Sequence, residues 1–166
     1  MSKKVRKIAN RSLRLSRIEP KTQVISKGGD YFSGKPELQA SYDRFTKAQI
    51  GLEPYKKISM PEAQIRNLIH QHDIPTVARP AGVPENFLVR ISKTGAGMEY
   101  VHPTTTHISV RVMPGKPHSP FPYQQKPYVV QMESGSAIDQ FGNRISHSLP
   151  EAHIPLEEFI FTGIKS

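Results

Sequence analysis

From Asn86 onward, hydrophobic and polar positions alternate with a period of two, in short runs broken by turn residues. Phe87–Ser92 alternates and stops at Thr94-Gly95-Ala96-Gly97, and Met98–Val101 follows as a short partner. In His107–Met113, Ile108, Val110 and Val112 alternate with Ser109 and Arg111, so Arg111 and Ser109 fall opposite the aliphatic face. Pro114-Gly115 closes that strand. Tyr128–Met132 reads as the next strand, turning at Ser134-Gly135 into Ala137–Asp139, and the last segment Ile154–Phe161 mixes apolar and acidic residues. Successive short strands with tight turns predict a twisted antiparallel sheet.

The period changes upstream. Residues 60–72 carry Ile65, Leu68, Ile69 and His72 at helical spacing, with Ser59 as expected N-cap, Pro61 in the first turn and Glu62 completing a capping box. A short helix is expected around Pro36–Ile50, with Leu38, Tyr42, Phe45 and Gln49 on one side. Helices followed by an antiparallel sheet make an α+β domain. The expected organisation is an arm over 1–18, a loop-rich segment with a short helix over 19–57, and a compact α+β domain over 58–166.

Charge sharpens this division. The net charge is +9, yet residues 1–18 hold seven of the 23 Lys and Arg and no acid, leaving 16 basic against 14 acidic residues elsewhere. The arm carries the basicity. It suits phosphate contacts with nucleic acid or an anionic surface, and a solvated tail or a transit peptide would have the same composition. With no Cys, disulfides and thiolate metal sites are excluded. No apolar run reaches the ~18 residues of a membrane span.

Five blocks come in order along the sheet region: Gly97-Met98-Glu99-Tyr100, Arg111-Val112-Met113-Pro114-Gly115, Gln125-Lys126-Pro127-Tyr128-Val129, Asp139-Gln140-Phe141-Gly142-Asn143, and Pro150 through Phe159. Together they resemble the C-terminal toxin domains of bacterial polymorphic and contact-dependent toxins, over residues 86–161. The resemblance implies a barnase-like or colicin-type nuclease-like fold and cleavage of RNA, with tRNA a candidate. It also implies a cytoplasmic site of action after delivery into a target cell, and an acidic immunity protein as partner. The chain starts at Met1 without the large delivery region usual in such toxins, so the expectation is a detached cassette or a relative with another job.

Metal-independent RNA cleavage needs a base for the 2′-hydroxyl, an acid for the leaving oxygen and cations for the phosphate. His suits the first two near neutral pH, and Arg grips phosphate with two prongs. The catalytic candidates are His102, His153, His107 and Arg111, with His102 or His153 expected to move the proton. The nucleic-acid-binding candidates are Lys126, Tyr128, Lys116 and Thr105. Tyr128 would stack or hydrogen-bond a base, and the Thr104-Thr105-Thr106 turn would offer hydroxyls and amides to phosphate. The 114–127 loop holds five of the 15 prolines, which stiffen a segment presenting Lys116, His118 and Lys126. Each of these residues also has a plain structural reading, as a hydrogen-bonded His, a solvated strand face or core packing.

No cofactor is implied, because no phosphate-binding glycine loop, dinucleotide fingerprint or nucleophile elbow occurs. His70-x-His72-Asp73 lacks a recognised ligand spacing, so no metal site is assigned; a metal-dependent DNase stays a minor alternative. The main alternative is a non-catalytic nucleic-acid-binding or adaptor module acting through the basic arm.

Overall fold

The computed structural model describes residues 31–105, 107–161 and 163. The arm and the rest of 1–30, like Thr106, lie outside the described residues. The chain divides into two compact units, residues 1–40 and 41–166. In the first, the turn Tyr31–Gly34 is held by a hydrogen bond from Lys35 N–H to Phe32 O (2.9 Å), with the Lys35 ammonium over the Tyr31 ring.

Helix α1 spans Pro36–Leu52 and helix α2 spans Glu62–Gln71. Pro36 and Glu37 suit the start of α1, where the N–H is spare and the dipole favours an acid. Its buried positions are Ser41, Phe45, Ala48 and Leu52. Tyr42 lies more than a third exposed, so the buried stripe is turned from the one expected through Leu38, Tyr42 and Gln49. Helix α2 starts at Glu62 behind Pro61, with no side-chain cap. Ser59 is not the N-cap, because Pro61 sets the entry and Glu62 is drawn into an ion-pair network instead. Ile65 and Ile69 are the buried face of α2.

Five strands lie where expected: β1 Leu88–Ile91, β2 Met98–Val101, β3 Ile108–Met113, β4 Tyr128–Glu133 and β5 Ser136–Ile138. Strand β6 Arg144–Ile145 is not among the expected ones, and the last segment is extended only at β7 Ile154–Pro155 before a turn at Leu156–Glu158. The sheet is antiparallel, in the order β1-β2-β3-β4-β5-β6, with β7 beside the start of β4. The α+β class stands. Ser134 (φ 51°) and Gly135 (φ 86°) make the β4–β5 turn, where both positions need the left-handed region.

Each face of the sheet carries its own core. On one side Val89, Ile91, Met98, Tyr100, Val110, Val112 and Val129 pack with Phe45, Leu52, Ile65 and Ile69 of the helices. Full burial of such side chains stabilises by roughly 1.5–3 kcal/mol each. The other side holds a smaller cluster, Met113, Tyr128, Val130, Ala137 and Ala152. Register puts Arg111 on this second face: it pairs across with Glu99 and Val130, while its neighbours Val110 and Val112 point to the helices. Among the described residues no helix is long and apolar enough to cross a membrane.

Candidate functional site

Arg111 is central to β3, which is paired on both sides. Its cross-strand neighbour Glu99 accepts a 2.9 Å hydrogen bond from Arg90 Nε. Arg111 Nε is buried with no hydrogen-bond partner. An unpaired buried donor on a cation costs stability unless a ligand completes it.

Two irregular segments bring further groups to Arg111. The first is the loop from Pro114 to Pro127. Its neck closes where Gly115 meets the backbone of Gln125 and Lys126; a Cβ there would lie 2.5 Å from Gln125 O and 2.7 Å from Lys126 Cα. Lys116 N–H donates to Gln124 O at 2.8 Å across the same neck. Within the loop, Ser119 Oγ donates to Gln124 Oε1, Phe121 N–H donates to Ser119 Oγ, and Gln125 Nε2 donates to Ser119 O. This is a self-bonded Ω-type loop. His118 fastens it to α1, with Nδ1 2.9 Å from Ser41 Oγ and its ring against Tyr42 and Phe45.

The second segment is the turn Pro150–Ala152 leading into β7. It presents His153, whose Nδ1 lies 2.8 Å from Leu149 O. A carbonyl only accepts, so Nδ1 carries the proton and Nε2 holds the lone pair. The His153 ring lies 5.1 Å from Tyr128 and 4.7 Å from Tyr123, and Tyr123 stacks on Phe121 at 5.6 Å.

Electrostatics ties these groups together. Desolvation pushes Lys116 down to about 8, and the Arg111 charge adds to it. Desolvation also pushes His153 down to about 4; its bond to Leu149 opposes this, while Arg111, Lys116 and His147 reinforce it. Desolvation lowers His147 as well, with Arg111 again adding. Tyr128 is pushed up to about 12 by burial. His118 drops to about 3 by burial, helped by Lys116 and Arg44. Two cations thus gather where the cross-strand carboxylate, Glu99, is already paired with Arg90, an arrangement that suits an anion.

Of the residues singled out in the sequence, the structure brings together Arg111, Lys116, Tyr128 and His153. Tyr128 is buried against His153, so its ring positions the imidazole rather than offering a face to a base. His102 belongs elsewhere. Its ring packs on Phe87 on the helix side of the sheet, and its Nδ1 accepts from Thr104 N–H (3.1 Å) and Thr105 N–H (2.9 Å). It shapes a turn, and the Thr104 and Thr105 amides are thereby taken. His107 is exposed four residues before Arg111, about 13 Å along the strand. Lys126 is exposed at the loop neck, where its backbone rather than its ammonium is engaged with Gly115. His147 and Tyr123 also belong to this group, and they lie in irregular segments where no periodicity places a side chain.

A hollow of about 150 Å³ adjoins His153, lined also by Asp139, Phe141, Glu151 and Glu158. Its acidic wall is unsuited to phosphate. A larger hollow of about 390 Å³ is lined by Met60, Glu62, Arg79 and Phe87. There the charges are matched. Glu62 Oε2 accepts from Arg66 Nη2 (2.8 Å) and Tyr100 Oη (2.8 Å), and Glu62 Oε1 accepts from Arg79 Nη1 (2.6 Å). Arg79 also donates to Val83 O and Pro84 O, and Arg66 to Val77 O. No buried side-chain atom of that network lacks a partner, and the bonds fasten α2 and the 77–84 connector to the sheet.

His70 and His72 at the end of α2 do not form a ligand set. His72 Nδ1 lies 2.8 Å from Leu68 O, and its ring occupies the space a Cβ on Gly51 would need. Among the described residues no three His, Asp or Glu side chains are grouped to hold a metal ion. Comparison with protein-family models, curated proteins and solved structures finds no match to this chain.

Proposed function

We propose that this chain is a ribonuclease domain of the bacterial toxin kind, cleaving RNA by general acid–base chemistry at Arg111, Lys116 and His153. The observation that carries the reading is the buried, unpartnered Arg111 Nε beside a Lys and a His of depressed pKa. Arg111 holds the scissile phosphate. His153 Nε2, unprotonated at neutral pH, takes the proton from the 2′-hydroxyl. The 2′-oxygen bonds to phosphorus, the bond from phosphorus to the 5′-oxygen breaks, and Lys116 gives that oxygen its proton. The products are a 2′,3′-cyclic phosphate and a free 5′-hydroxyl. A bound phosphate offsets the field of Arg111 and Lys116, so it raises the His153 pKa toward the range where an imidazole is an effective base.

Lys116→Arg tests the acid. The variant keeps the charge but cannot release a proton near neutral pH. Oligonucleotide binding should stay close to wild type while cleavage falls by about 10²-fold or more. Equal cleavage by Lys116→Arg would remove Lys116 from proton transfer. In an adaptor that binds through its basic arm, deleting residues 1–18 would abolish nucleic-acid binding and substitutions at Arg111 or Lys116 would leave it intact.

A further inference from the structure

Phe121 and Tyr123 are large rings outside both cores. They sit on a loop with stiffening prolines at 117, 120 and 122 and its own hydrogen bonds. The two rings are near-parallel, with 26° between their planes, and they continue through His153 to the buried Tyr128. The inner end of this ladder adjoins the Arg111–Lys116 cation pair, and Phe121 at the outer end is half-exposed. A ring held this way gives up little conformational entropy when a ligand stacks on it.

We propose that Phe121, backed by Tyr123, is the stacking platform for an unpaired base next to the phosphate at Arg111, so that the site takes single-stranded nucleic acid and rejects duplex. The proposal rests on reading Arg111, Lys116 and His153 as a phosphodiester site, and it adds the substrate class. Every base has a π-face that an aromatic ring accepts without regard to sequence, and a base reaches such a ring only when it is unpaired. The cation pair supplies the neighbouring phosphate contact, which pairs charge with stacking as single-strand binders do.

The test uses the full chain and a labelled single-stranded DNA, which lacks the 2′-hydroxyl and so is bound without being cut. A duplex of the same sequence and a poly-glutamate peptide are the comparison arms. Wild type should bind the single strand at least tenfold more tightly than either. Phe121→Leu, which keeps apolar bulk but has no π-face, should weaken single-strand binding by about tenfold. The same variant should keep the thermal shift that inorganic phosphate produces, which reports an intact cation pair. Equal affinity of Phe121→Leu and wild type overturns the platform, as does equal binding of duplex or of poly-glutamate. If the single strand binds through Phe121 but RNA is never cut, the ribonuclease reading fails and the platform stands. If RNA is cut and Phe121→Leu behaves as wild type, the platform fails alone.

Discussion

Two groups of charged side chains lie on opposite faces of one sheet, and they differ in whether their hydrogen bonds are complete. Around Glu62, two arginines and the Tyr100 hydroxyl converge on one carboxylate, and the leftover N–H groups find backbone carbonyls. Around Arg111, two cations and an imidazole of depressed pKa gather, the cross-strand Glu99 carboxylate is taken by Arg90, and a guanidinium N–H is buried without a partner. A closed network is part of the fold. An open one carries an electrostatic cost that an anion would relieve, and this asymmetry is the ground for proposing function on the Arg111 face.

The widest separation between the two groups should come from deleting one residue in each. Arg111→Ala is expected to cut RNA cleavage by about 10²–10³-fold, the scale for losing one charge-stabilising donor. Its melting temperature should hold or rise, because the unpaired donor goes with it. Glu62→Ala should do the reverse. It strands the Tyr100 hydroxyl and two guanidinium groups, at about 2 kcal/mol for a partly exposed site, while the folded fraction keeps wild-type cleavage. Thermal unfolding and an RNA cleavage assay on both variants check this. Loss of stability in Arg111→Ala with cleavage retained would erase the distinction.

A smaller effect is expected from pH. His153 and His118 titrate at about 4 and about 3 in the folded chain, against an ordinary 6.5. On acidification the unfolded chain therefore binds protons first. Their contribution to stability is whole above pH 6.5 and declines as pH falls from there toward 4 and then 3. Lys116, at about 8 instead of 10.5, adds a gain in stability as pH rises above 8. That gain is opposed above pH 10 by Tyr128, whose raised pKa of about 12 favours its neutral form. Melting temperature against pH should show both slopes. Lys116→Met should flatten the one between pH 8 and 10, and added phosphate should flatten the acid one by favouring protonated His153. A flat acid limb would contradict the environment assigned to the two histidines.

The contrast between the faces was half legible in the sequence. Alternation from Ile108 to Val112 was enough to put Arg111 opposite the aliphatic residues, because a strand's period of two leaves no other choice. Strands β1 to β5 came through for the same reason, whereas the two-residue β6 and β7 are too short to show a period. Proximity in loops was not legible: Lys116 and Tyr123 reach His153 through the path of a loop closed at Gly115, and no spacing rule encodes that path. His102 looked as eligible as His153 in the sequence. Just past β2 it keeps the parity of Met98 and Tyr100 and packs on Phe87, and its ring nitrogen is used up in capping a turn. Glu62 looked like a capping-box residue, but two arginines and a buried tyrosine compete for its carboxylate more strongly than a backbone N–H does.

The most direct test of the account is incubation of the purified full chain with single-stranded RNA in excess chelator, followed by analysis of the new ends. The account predicts cleavage unaffected by the chelator, with 2′,3′-cyclic phosphate and 5′-hydroxyl ends, and its loss in Arg111→Ala. Intact RNA after incubation with folded wild-type protein, or cleavage that Arg111→Ala leaves unchanged, would contradict it.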